Sequence, residues 1–386
     1  MALMTLIFIL YAKIIAINSS VIPLSNDIAA ESSTTSMFMK FIIANHRNYT
    51  SDVEKAKRFA IFVENLTYIA SLNAIYNESI FGITKFADYT SEELQKVAMK
   101  VSPRYNDEQI INYAEEVGLS IPEFFDWRKK YKVTAVKDQG KNGLIIKGGR
   151  WREGGVCFLN FALVALQTLT ATEGGKACSK FGAFRKNAEI LGARECNSCW
   201  AFASVAVIES LHAIKTDELI DLSEQQLIEC DPNSDGCIFG YPSTAYLVAK
   251  RRGLLTESQF SYRGVKDGAC PPESGKIFVK LIQKIKPNAD AIADYVYNFG
   301  PVSVNLRLTK PLYHYTTGIF HPSESECESS NDYHVWTIVG FGETTNEQYW
   351  IIKNSWGINW GNEGFIYFVR GKNACGIESY PYSATI

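Results

Sequence analysis

The stretch that decides the fold is Cys196-Asn197-Ser198-Cys199-Trp200-Ala201-Phe202, followed by an apolar run that continues to Leu211. Apolar side chains fill nearly every position of this run as far as Glu209, which predicts a helix buried on most of its sides. Cys199 lies near the amino end of that helix, where the helix dipole and free backbone N–H groups favour thiolate over thiol. By themselves, the two cysteines are also typical of a redox pair, half of a zinc site or a structural disulfide.

A histidine and an asparagine near the carboxyl end are candidate partners for a cysteine nucleophile. His334 directly precedes the strand-like run Val335 to Phe341, and Asn354 comes soon after the apolar run Tyr349 to Ile352. A short polar turn joins the two runs, which predicts a hairpin that brings His334 and Asn354 together. Cys, His and Asn are the parts of a thiol protease, in which the thiolate attacks a peptide carbonyl, the imidazolium protonates the leaving amine and the amide orients the imidazole.

A helical stripe lies upstream, in the charged region from residue 37 to residue 101. Six of its residues recur at intervals of three or four, which places them along one side of a helix: Glu54, Arg58, Phe62, Asn65, Ile69 and Asn73. A solvated amphipathic helix would account for part of this pattern. The stripe resembles the propeptides of papain-like cysteine proteases of the cathepsin L type. Gly82, Phe86 and Asp88 resemble the second motif of those propeptides, with Thr84 where that motif usually carries Asn.

The resemblance covers residues 37–141 and 196–386 and implies an α+β, papain-like fold of two facing domains. The left domain would be helical and contain Cys199, and the right domain would be an antiparallel β-barrel carrying His334 and Asn354. A helical propeptide domain would precede them. The resemblance also makes Gln139 the residue whose side-chain amide joins the Cys199 backbone N–H in an oxyanion hole. Trp356 would shield the His–Asn hydrogen bond from water.

The chain has nine cysteines, and the resemblance implies how six of them pair. Cys196 with Cys237, Cys230 with Cys270, and Cys327 with Cys375 match the family's three disulfides. Cys199 then stays free, and Cys157 and Cys178 are left as an extra pair that the family pattern does not explain. A zinc site needs four ligands meeting in space, and no second closely spaced cysteine pair is present, so zinc is the weaker interpretation. No metal and no cofactor are expected.

Substrate-binding residues are carried over from the family. They are Gly240, Tyr241, Pro242, Asn305, Val335 and Trp356. Ile238 and Phe239 replace the usual Asn and Gly beside this set, and Asn305 is more polar than the usual aliphatic residue. We expect a hydrophobic or aromatic preference at the pocket for the second substrate residue. Asn197 replaces a glycine beside the nucleophile, and Asn tolerates left-handed backbone angles better than most residues.

Composition narrows the function classes further. The 386 residues are 46% hydrophobic and carry a net charge of -2, so no basic field recruits nucleic acid. Residues 1–18 are predicted to be a signal peptide, because their apolar run is too short for a membrane anchor. A secreted or lysosomal glycoprotein follows, with glycosylation sequons at Asn48 and Asn77.

Four regions are predicted: the signal peptide, an inhibitory propeptide domain at 37–101, an activation linker at 102–120 and a peptidase domain at 121–386. The linker is polar, and cleavage is expected between about residues 112 and 121. The peptidase domain is interrupted by residues 142–195, which match nothing in the family. This insert is a functional loop, a disordered segment or a translation artefact such as a retained intron.

Three functions remain open: an active endopeptidase made as a zymogen, a catalytically impaired protein of the same fold with a binding role, and a propeptide-type inhibitor of other proteases. The presence of Cys199, His334, Asn354 and Gln139 favours the first. Expected partners are protein and peptide substrates, the chain's own propeptide and, by resemblance, cystatin-like inhibitors, with no nucleic acid and no stable membrane anchor. Acid is expected to release the propeptide by protonating groups that include Glu54 and Asp88. The insert is expected to lower activity by separating Gln139 from Cys199.

Overall fold

The computed structural model describes residues 24–76, 78–100, 112–118, 120–140 and 196–386, with side chains from residue 33 onward. The predicted signal peptide, most of the activation linker, the sequon at Asn77 and the insert with Cys157 and Cys178 lie outside these residues. The amino-terminal segment is the name used below for described residues 24–100.

Eight α-helices are present in the described part of the chain. They are α1 Leu24–Ala44, α2 Asp52–Tyr76, α3 Ser91–Leu94, α4 Cys199–Thr216, α5 Glu224–Cys230, α6 Pro242–Arg252, α7 Ala289–Asn298 and α8 Glu324–Ser329. Helix α4 is the predicted Cys199 helix, and all but four of its side chains are buried. The helix is therefore packed on nearly every side, as its nearly continuous apolar run before Glu209 predicts.

The strands form one mixed, mainly antiparallel sheet. They are β1 Asn112–Tyr113, β2 Phe125–Asp126, β3 Leu281–Lys284, β4 Val302–Arg307, β5 Ile319–Phe320, β6 Tyr333–Glu343, β7 Gln348–Lys353, β8 Phe365–Val369 and β9 Tyr382–Thr385. The order is β1-β3-β9-β4-β6-β7-β8-β5, with β2 paired to β6. The pairs β1 with β3 and β5 with β8 are parallel. The predicted α+β class is confirmed.

Strand β6 is the centre of the molecule. It pairs with β4 on one side and β7 on the other, and α4 packs against it. The predicted hairpin is therefore present. Its turn, residues 344–347, is shorter than the sequence indicates, because both strands extend beyond the apolar runs. Helices α4, α5 and α6 form a second layer beside the sheet, with their own apolar core.

The stripe of α2 folds the amino-terminal segment onto itself. Arg58 forms an ion pair with Glu93 at 2.6 Å. Asn65 donates from Nδ2 to two backbone carbonyls, those of Ala87 and Tyr89, both at 3.0 Å. These polar stripe residues close a loop that the sequence pattern alone leaves open, because the Asn65 amide and the Arg58 guanidinium donate to backbone carbonyls of that loop.

Glu54 has a different role from the one expected. Its carboxylate accepts hydrogen bonds from the backbone N–H and the hydroxyl of Thr50, at 2.8 and 2.6 Å. Glu54 therefore stabilises the start of α2 and does not hold the segment to the rest of the fold.

The amino-terminal segment docks on the turn that precedes β5. Phe81 forms a β-bridge with Tyr315, and the Gly82 N–H donates to the His314 carbonyl at 2.8 Å. The Thr84 hydroxyl donates to the Tyr313 carbonyl at 2.6 Å. Thr84 thus makes a polar contact of its own at the position where the related motif carries Asn.

By length and composition, α2 is the one described helix that passes a test for crossing a membrane. The test carries little weight here, because α2 uses Arg58 and Asn65 to hold the folded segment. The described part of the linker, by contrast, is partly ordered: Asn112 and Tyr113 pair with Gln283 and Lys284 at the sheet edge. Both are exposed, so the expected cleavage region stays accessible.

Three disulfides join Cys196 to Cys237, Cys230 to Cys270, and Cys327 to Cys375. These are the three pairs that the resemblance implies, and Cys199 is the free cysteine among the described residues. The alternative pairing of Cys196 with Cys199 is therefore excluded, and Cys199 keeps its thiol.

A buried ionic cluster lies between the two layers, below the hairpin. The Lys137 ammonium contacts the carboxylates of Glu209 on α4 and Glu224 on α5, at 2.9 and 2.7 Å. Lys353, at the end of β7, is also buried and donates to the Thr134 hydroxyl. Burial lowers the pKa of Lys353 to about 8. Opposite charges offset part of the cost of removing each ion from water, and Lys137 thereby links α4 to α5.

Candidate active site

The start of α4 presents Cys199 with open backbone donors. Ser198 occupies the N-cap position, but its side chain makes no capping hydrogen bond. Its hydroxyl pairs instead with the Tyr262 hydroxyl at 3.0 Å. The first N–H groups of the helix are thus left for the sulfur and for a ligand, since a helix start has no internal acceptors for them. The placement of Cys199 agrees with the sequence prediction.

His334 and Asn354 meet across the hairpin. His334 Nε2 lies 2.8 Å from Asn354 Oδ1, and the other ring nitrogen, Nδ1, has no hydrogen-bond partner among the described residues. The Trp356 ring lies 4.7 Å from the imidazole, centroid to centroid. Trp356 is fully buried, so it keeps water from the His–Asn hydrogen bond. This geometry orients the ring and leaves Nδ1 available for a proton.

Gln139 is held beside the cysteine loop by contacts from three directions. Its Nε2 donates to the Cys196 carbonyl at 3.2 Å, and its Oε1 accepts from the Ser355 hydroxyl at 2.6 Å. Its backbone N–H donates to the Ser355 carbonyl, and its carbonyl accepts from the Tyr262 hydroxyl. These anchors all lie outside residues 142–195.

Burial keeps the candidate nucleophile and base neutral in this structure. It raises the pKa of the Cys199 thiol to about 12, although backbone contacts with Val335 and Trp200 act in the other direction. It lowers the pKa of His334 to about 4. The thiolate expected from the helix position is therefore suppressed here, because desolvation outweighs the helix dipole.

The amino-terminal segment causes this burial by lying across the site. Met99 pairs with Tyr333 in both directions, with backbone N···O distances of 3.0 and 2.8 Å. On the opposite side, Asn197 Nδ2 donates to the Ala98 carbonyl at 3.1 Å. Met99 is buried in the apolar cluster that contains Cys199. The segment thus spans from the cysteine loop to the strand that carries His334.

The segment also covers the tryptophan beside the histidine. The Phe86 ring lies 5.0 Å from Trp356 and 5.2 Å from Tyr313. Lys85 forms an ion pair at 2.7 Å with Asp138, the neighbour of Gln139. The second motif of the segment therefore packs on the surface around the candidate site.

The expected substrate-binding residues lie on two walls. On one, Gly240 contacts Trp200 so closely that an added Cβ would lie 2.2 Å from the indole ring, and only glycine fits there. Tyr241 and Pro242 begin α6. On the other wall, Asn305 and Val335 are direct neighbours on β4 and β6.

Asn305 borders an open cavity of about 550 Å³ that is also lined by Tyr333 and Tyr380. The Asn305 Nδ2 is buried and has no partner among the described residues. The cavity wall is polar at this point, where the sequence has Asn305 in place of the usual aliphatic residue, and neither Tyr241 nor Val335 lines this cavity.

Sequence reasoning missed four contributors: Ser355 and Tyr262, which hold Gln139, and Tyr333 and Asn197, which hold the segment. Ser355 and Tyr262 act through contacts between distant parts of the chain, and Tyr333 acts through its backbone, so no local pattern marks them. Asn197 was noticed for its backbone tolerance, but it does not adopt a positive φ. Its side chain, rather than its backbone freedom, makes the contact. In the described part of the chain, no three His, Cys, Asp or Glu residues are arranged to hold a metal.

Family comparisons match both halves of the chain. The description "Papain family cysteine protease" matches residues 184–385, and "Cathepsin propeptide inhibitor domain" matches residues 38–94. The second range lies within the amino-terminal segment. The first contains Cys199, His334 and Asn354.

Individual relatives agree with these matches. The chain is 30% identical over 362 residues to pro-cathepsin H of Bos taurus, covering 92% of this chain and 90% of that protein. It is 29% identical to a cathepsin L-like proteinase of Phaedon cochleariae, covering 99% and 100%. It is also 28% identical to cathepsin F of Mus musculus, covering 91% of this chain but only 64% of the relative. The chain spans 50% of cathepsin F of Drosophila melanogaster.

Solved structures share the fold. Digestive procathepsin L 3 of Tenebrio molitor superposes with a TM-score of 0.70 at 23% identity, covering 92% of this chain and 99% of that one. A recombinant stem bromelain precursor gives a TM-score of 0.68 at 24% identity, covering 92% and 99%. The papain-like fold, including the helical region before the peptidase part, is therefore confirmed.

We expect the Cys199 thiol to be unreactive while the amino-terminal segment is in place. With its pKa raised to about 12, alkylation by iodoacetamide at pH 7.5 should be at least ~100-fold slower than for an ordinary cysteine. Peptide-resolved mass spectrometry measures the rate at Cys199. The same protein in urea is the control, and equal rates in native and unfolded protein would contradict the role of burial.

Proposed function

The chain belongs to the papain family of cysteine proteases, and on that basis we propose that it is a cysteine endopeptidase made as a zymogen. The observation that carries the proposal is the 2.8 Å contact between His334 Nε2 and Asn354 Oδ1, which leaves Nδ1 without a partner among the described residues. The free Cys199 contacts the backbone of Val335, the residue that follows His334. Most buried polar groups in proteins are hydrogen-bonded, so an unpartnered ring nitrogen next to an oriented one needs a reason of its own, and a proton-transfer role supplies it.

The chemistry follows from these groups. After the amino-terminal segment leaves, water enters and the Cys199 proton moves to His334 Nδ1, forming a thiolate and an imidazolium that stabilise each other. The sulfur attacks the peptide carbonyl, and the imidazolium gives its proton to the leaving amine. Water then cleaves the acyl–sulfur bond, with His334 taking the proton from that water.

Gln139 completes the site in this proposal. Its Nε2 carries two protons, one of which is used on the Cys196 carbonyl. The second, together with the Cys199 backbone N–H, would bind the oxyanion that forms during attack. Such donors are worth ~3 to 4 kcal/mol of transition-state stabilisation each.

The substrate pocket is proposed from residues on the two walls. Tyr241, Pro242 and Val335 supply apolar surface, which supports a preference for hydrophobic or aromatic second residues. Asn305 adds a buried donor at its edge. Trp356 would contact substrate on the leaving-group side once Phe86 no longer covers it.

Release of the amino-terminal segment is proposed to be driven by acid, with groups other than those first expected. Burial opposes ionisation of Glu93, but hydrogen bonds from Arg58 and Thr90 outweigh it and lower its pKa. The resulting stabilisation of the folded segment is complete above the ordinary pKa of a carboxyl group, and it is lost as pH falls and Glu93 is protonated. Asp88 acts in the opposite sense, because burial raises its pKa despite the nearby Arg47. Asp88 therefore favours the folded segment as pH falls.

His314 is the group whose titration is best placed for this release. It is fully buried, both ring nitrogens lack partners among the described residues, and its ring lies 5.8 Å from that of Tyr68 on α2. Burial, followed by the charge of Lys310, lowers its pKa from 6.5 to about 4. The neighbouring Tyr68 stays neutral, since burial raises its pKa to about 12. Burial of the neutral His314 thus favours the bound segment above pH 6.5, and this preference is lost as pH falls towards 4.

Lysosomal or secreted localisation is proposed by family resemblance, and cystatin-like inhibitors are proposed as partners on the same ground. The side chain of Asn48, in one of the two sequons, is exposed and so is open to glycosylation. Three disulfides fit an oxidising compartment.

The alternative is a catalytically impaired protein with a binding or inhibitory role, in which residues 142–195 disable the site. The anchors of Gln139 argue against displacement of that residue, because Ser355, Tyr262 and Cys196 hold it independently of the insert. Loop length itself adds only ~0.6 kcal/mol of closure entropy per doubling.

We expect Cys199→Ser to lower peptide hydrolysis by at least ~10⁴-fold, because the nucleophile is lost, and His334→Ala to do nearly the same. Asn354→Ala should leave a weaker but measurable enzyme, since only orientation of the imidazole is removed. Rates are measured on acid-activated protein, with unfolding midpoints as the control for folding. Near wild-type activity of Cys199→Ser would refute the assignment.

Deletion of residues 142–195 is expected to raise soluble yield while changing turnover per active site by no more than about twofold, because the anchors of Gln139 remain. This revises the expectation from the sequence that the insert lowers activity. Titration with a thiol-directed inhibitor gives the active-site concentration of both forms. A titratable Cys199 in the deleted form alone would favour the impaired-protein alternative.

Replacement of His314 by Leu should flatten the pH dependence of activation between pH 6.5 and 4. The variant lacks the imidazole whose protonation in acid favours release of the segment. The lowered pKa of His314 allows the equilibrium constant for release of the segment to change by up to roughly 100-fold over this pH range. Activation rates are followed by proteolysis of the segment at each pH. His321→Leu, a replacement of a more exposed histidine, is the control, and an unaltered pH profile of His314→Leu would contradict the mechanism.

A further inference from the structure

The linker between the amino-terminal segment and the peptidase part has a binding place of its own. Strand β1 pairs in parallel with β3 at the edge of the sheet, and Ala114, the next residue, donates from its N–H to the Lys284 carbonyl at 2.9 Å. The side chains of β1 are exposed, but its backbone is hydrogen-bonded. Susceptibility to proteolysis depends on the hydrogen bonding of the backbone as well as on exposure. Cleavage of this accessible stretch therefore requires that β1 first leave β3.

A second anchor holds the linker beyond β1. The Val117 N–H donates to Asp294 Oδ2 on α7 at 2.9 Å, and hydrogen bonds to charged groups are stronger than those between neutral groups. Glu116 also forms an ion pair with Lys286 at 3.2 Å, but both side chains are exposed, so this pair adds little. Residues 112–118 are thus tied to two separate elements of the peptidase part, β3 and α7.

A row of paired residues shows how far the linker lies from the strand that carries the candidate base. Tyr113 pairs with Lys284, Lys284 with Tyr382, Tyr382 with Ser303, and Ser303 with Thr337 on β6. Four steps of about 4.8 Å give roughly 19 Å along the sheet between β1 and β6. The linker is therefore anchored away from the contacts by which the amino-terminal segment spans the cleft. Loss of those contacts on activation leaves the anchors of the linker in place.

We propose that the edge of β3 is a docking site for residues 112–118, which stay bound there after the amino-terminal segment leaves and become an additional strand of the activated enzyme. This inference rests on the proposed zymogen function and specifies which part of the chain the activated enzyme keeps. The retained strand covers backbone groups of β3 that would otherwise form an open sheet edge. The expectation of cleavage between about residues 112 and 121 is thereby revised, and the activated enzyme begins at or before Asn112.

The first test identifies the amino terminus of the activated enzyme. The purified full-length chain is activated in acid, and the product is analysed by amino-terminal sequencing and intact mass. The expected product begins at or before Asn112. A product that begins after Asn112 would overturn the proposal.

The second test measures docking in the full-length Cys199→Ser chain, which cannot cleave itself. Chymotrypsin cuts after Tyr113 once the linker opens, and peptide-resolved mass spectrometry gives the rate. Asp294→Ala removes the acceptor of the Val117 N–H, so this rate should rise about tenfold, as expected for one hydrogen bond to a charged group. Asn298→Ala is the matched control, because Asn298 Nδ2 donates to the other oxygen of the same carboxylate, at 3.0 Å. It should change the rate by no more than about twofold.

General loosening of the fold is followed in the same digest. Tyr131 is 83% exposed, and cleavage after it should be equal in all three chains. If Asp294→Ala fails to fold, Asp294→Asn keeps the shape of the side chain and removes its charge, with a smaller expected rise of about threefold after Tyr113.

The outcomes are distinguishable from failure of the proposed function. Equal rates of cleavage after Tyr113 in the Asp294→Ala and Asn298→Ala chains would overturn the docking of the linker while leaving the protease intact. The chymotrypsin experiment needs no activity of the chain itself. Absence of titratable Cys199 and of hydrolysis in the wild-type chain would instead overturn the proposed function, and retention of the strand in an activated enzyme with it.

Discussion

The buried strand β6 is the constraint on which the rest of the structure depends. The first part of its backbone pairs with β4 and the later part with β7, and the two pairings overlap at Thr337 and Ile338. His334 lies at its start, and the pairing with β7 brings Asn354 to the imidazole. Because α4 packs on the same strand, Cys199 is positioned by the sheet as much as by its own helix. Disturbing β6 would move all three groups together.

The amino-terminal segment controls the charge state of these groups by controlling water. It crosses the cleft through paired backbones at Met99 and Tyr333 and through the amide of Asn197. With water excluded, a thiolate and an imidazolium are each costly, and the thiol and imidazole stay neutral. Inhibition is therefore twofold: the segment blocks the substrate path, and it also removes the solvation that ionisation needs.

Distance along the chain says little about distance in this site. Gln139 and Cys196 are separated by the whole of residues 142–195, yet a hydrogen bond joins them at 3.2 Å. Ser355 and Tyr262 hold Gln139 from other parts of the chain. Lengthening a loop whose two ends are held in place costs little additional closure entropy. The geometry of the site therefore depends on the contacts that hold Gln139, and not on the length of the insertion.

The local sequence pattern alone determined the elements that are marked by clear apolar runs. The unbroken apolar run after Cys199 required a buried helix, and two apolar runs around a polar turn required the hairpin that joins His334 and Asn354. The residue stripe of α2 and the three disulfides followed from resemblance, because residue types at set spacings are visible in a sequence. The contacts of Ser355, Tyr262 and Asn197, and the neutral state of Cys199, were decided only by the tertiary structure. Hydrogen-bond partners and burial depend on which distant segments meet, and no local spacing encodes that meeting.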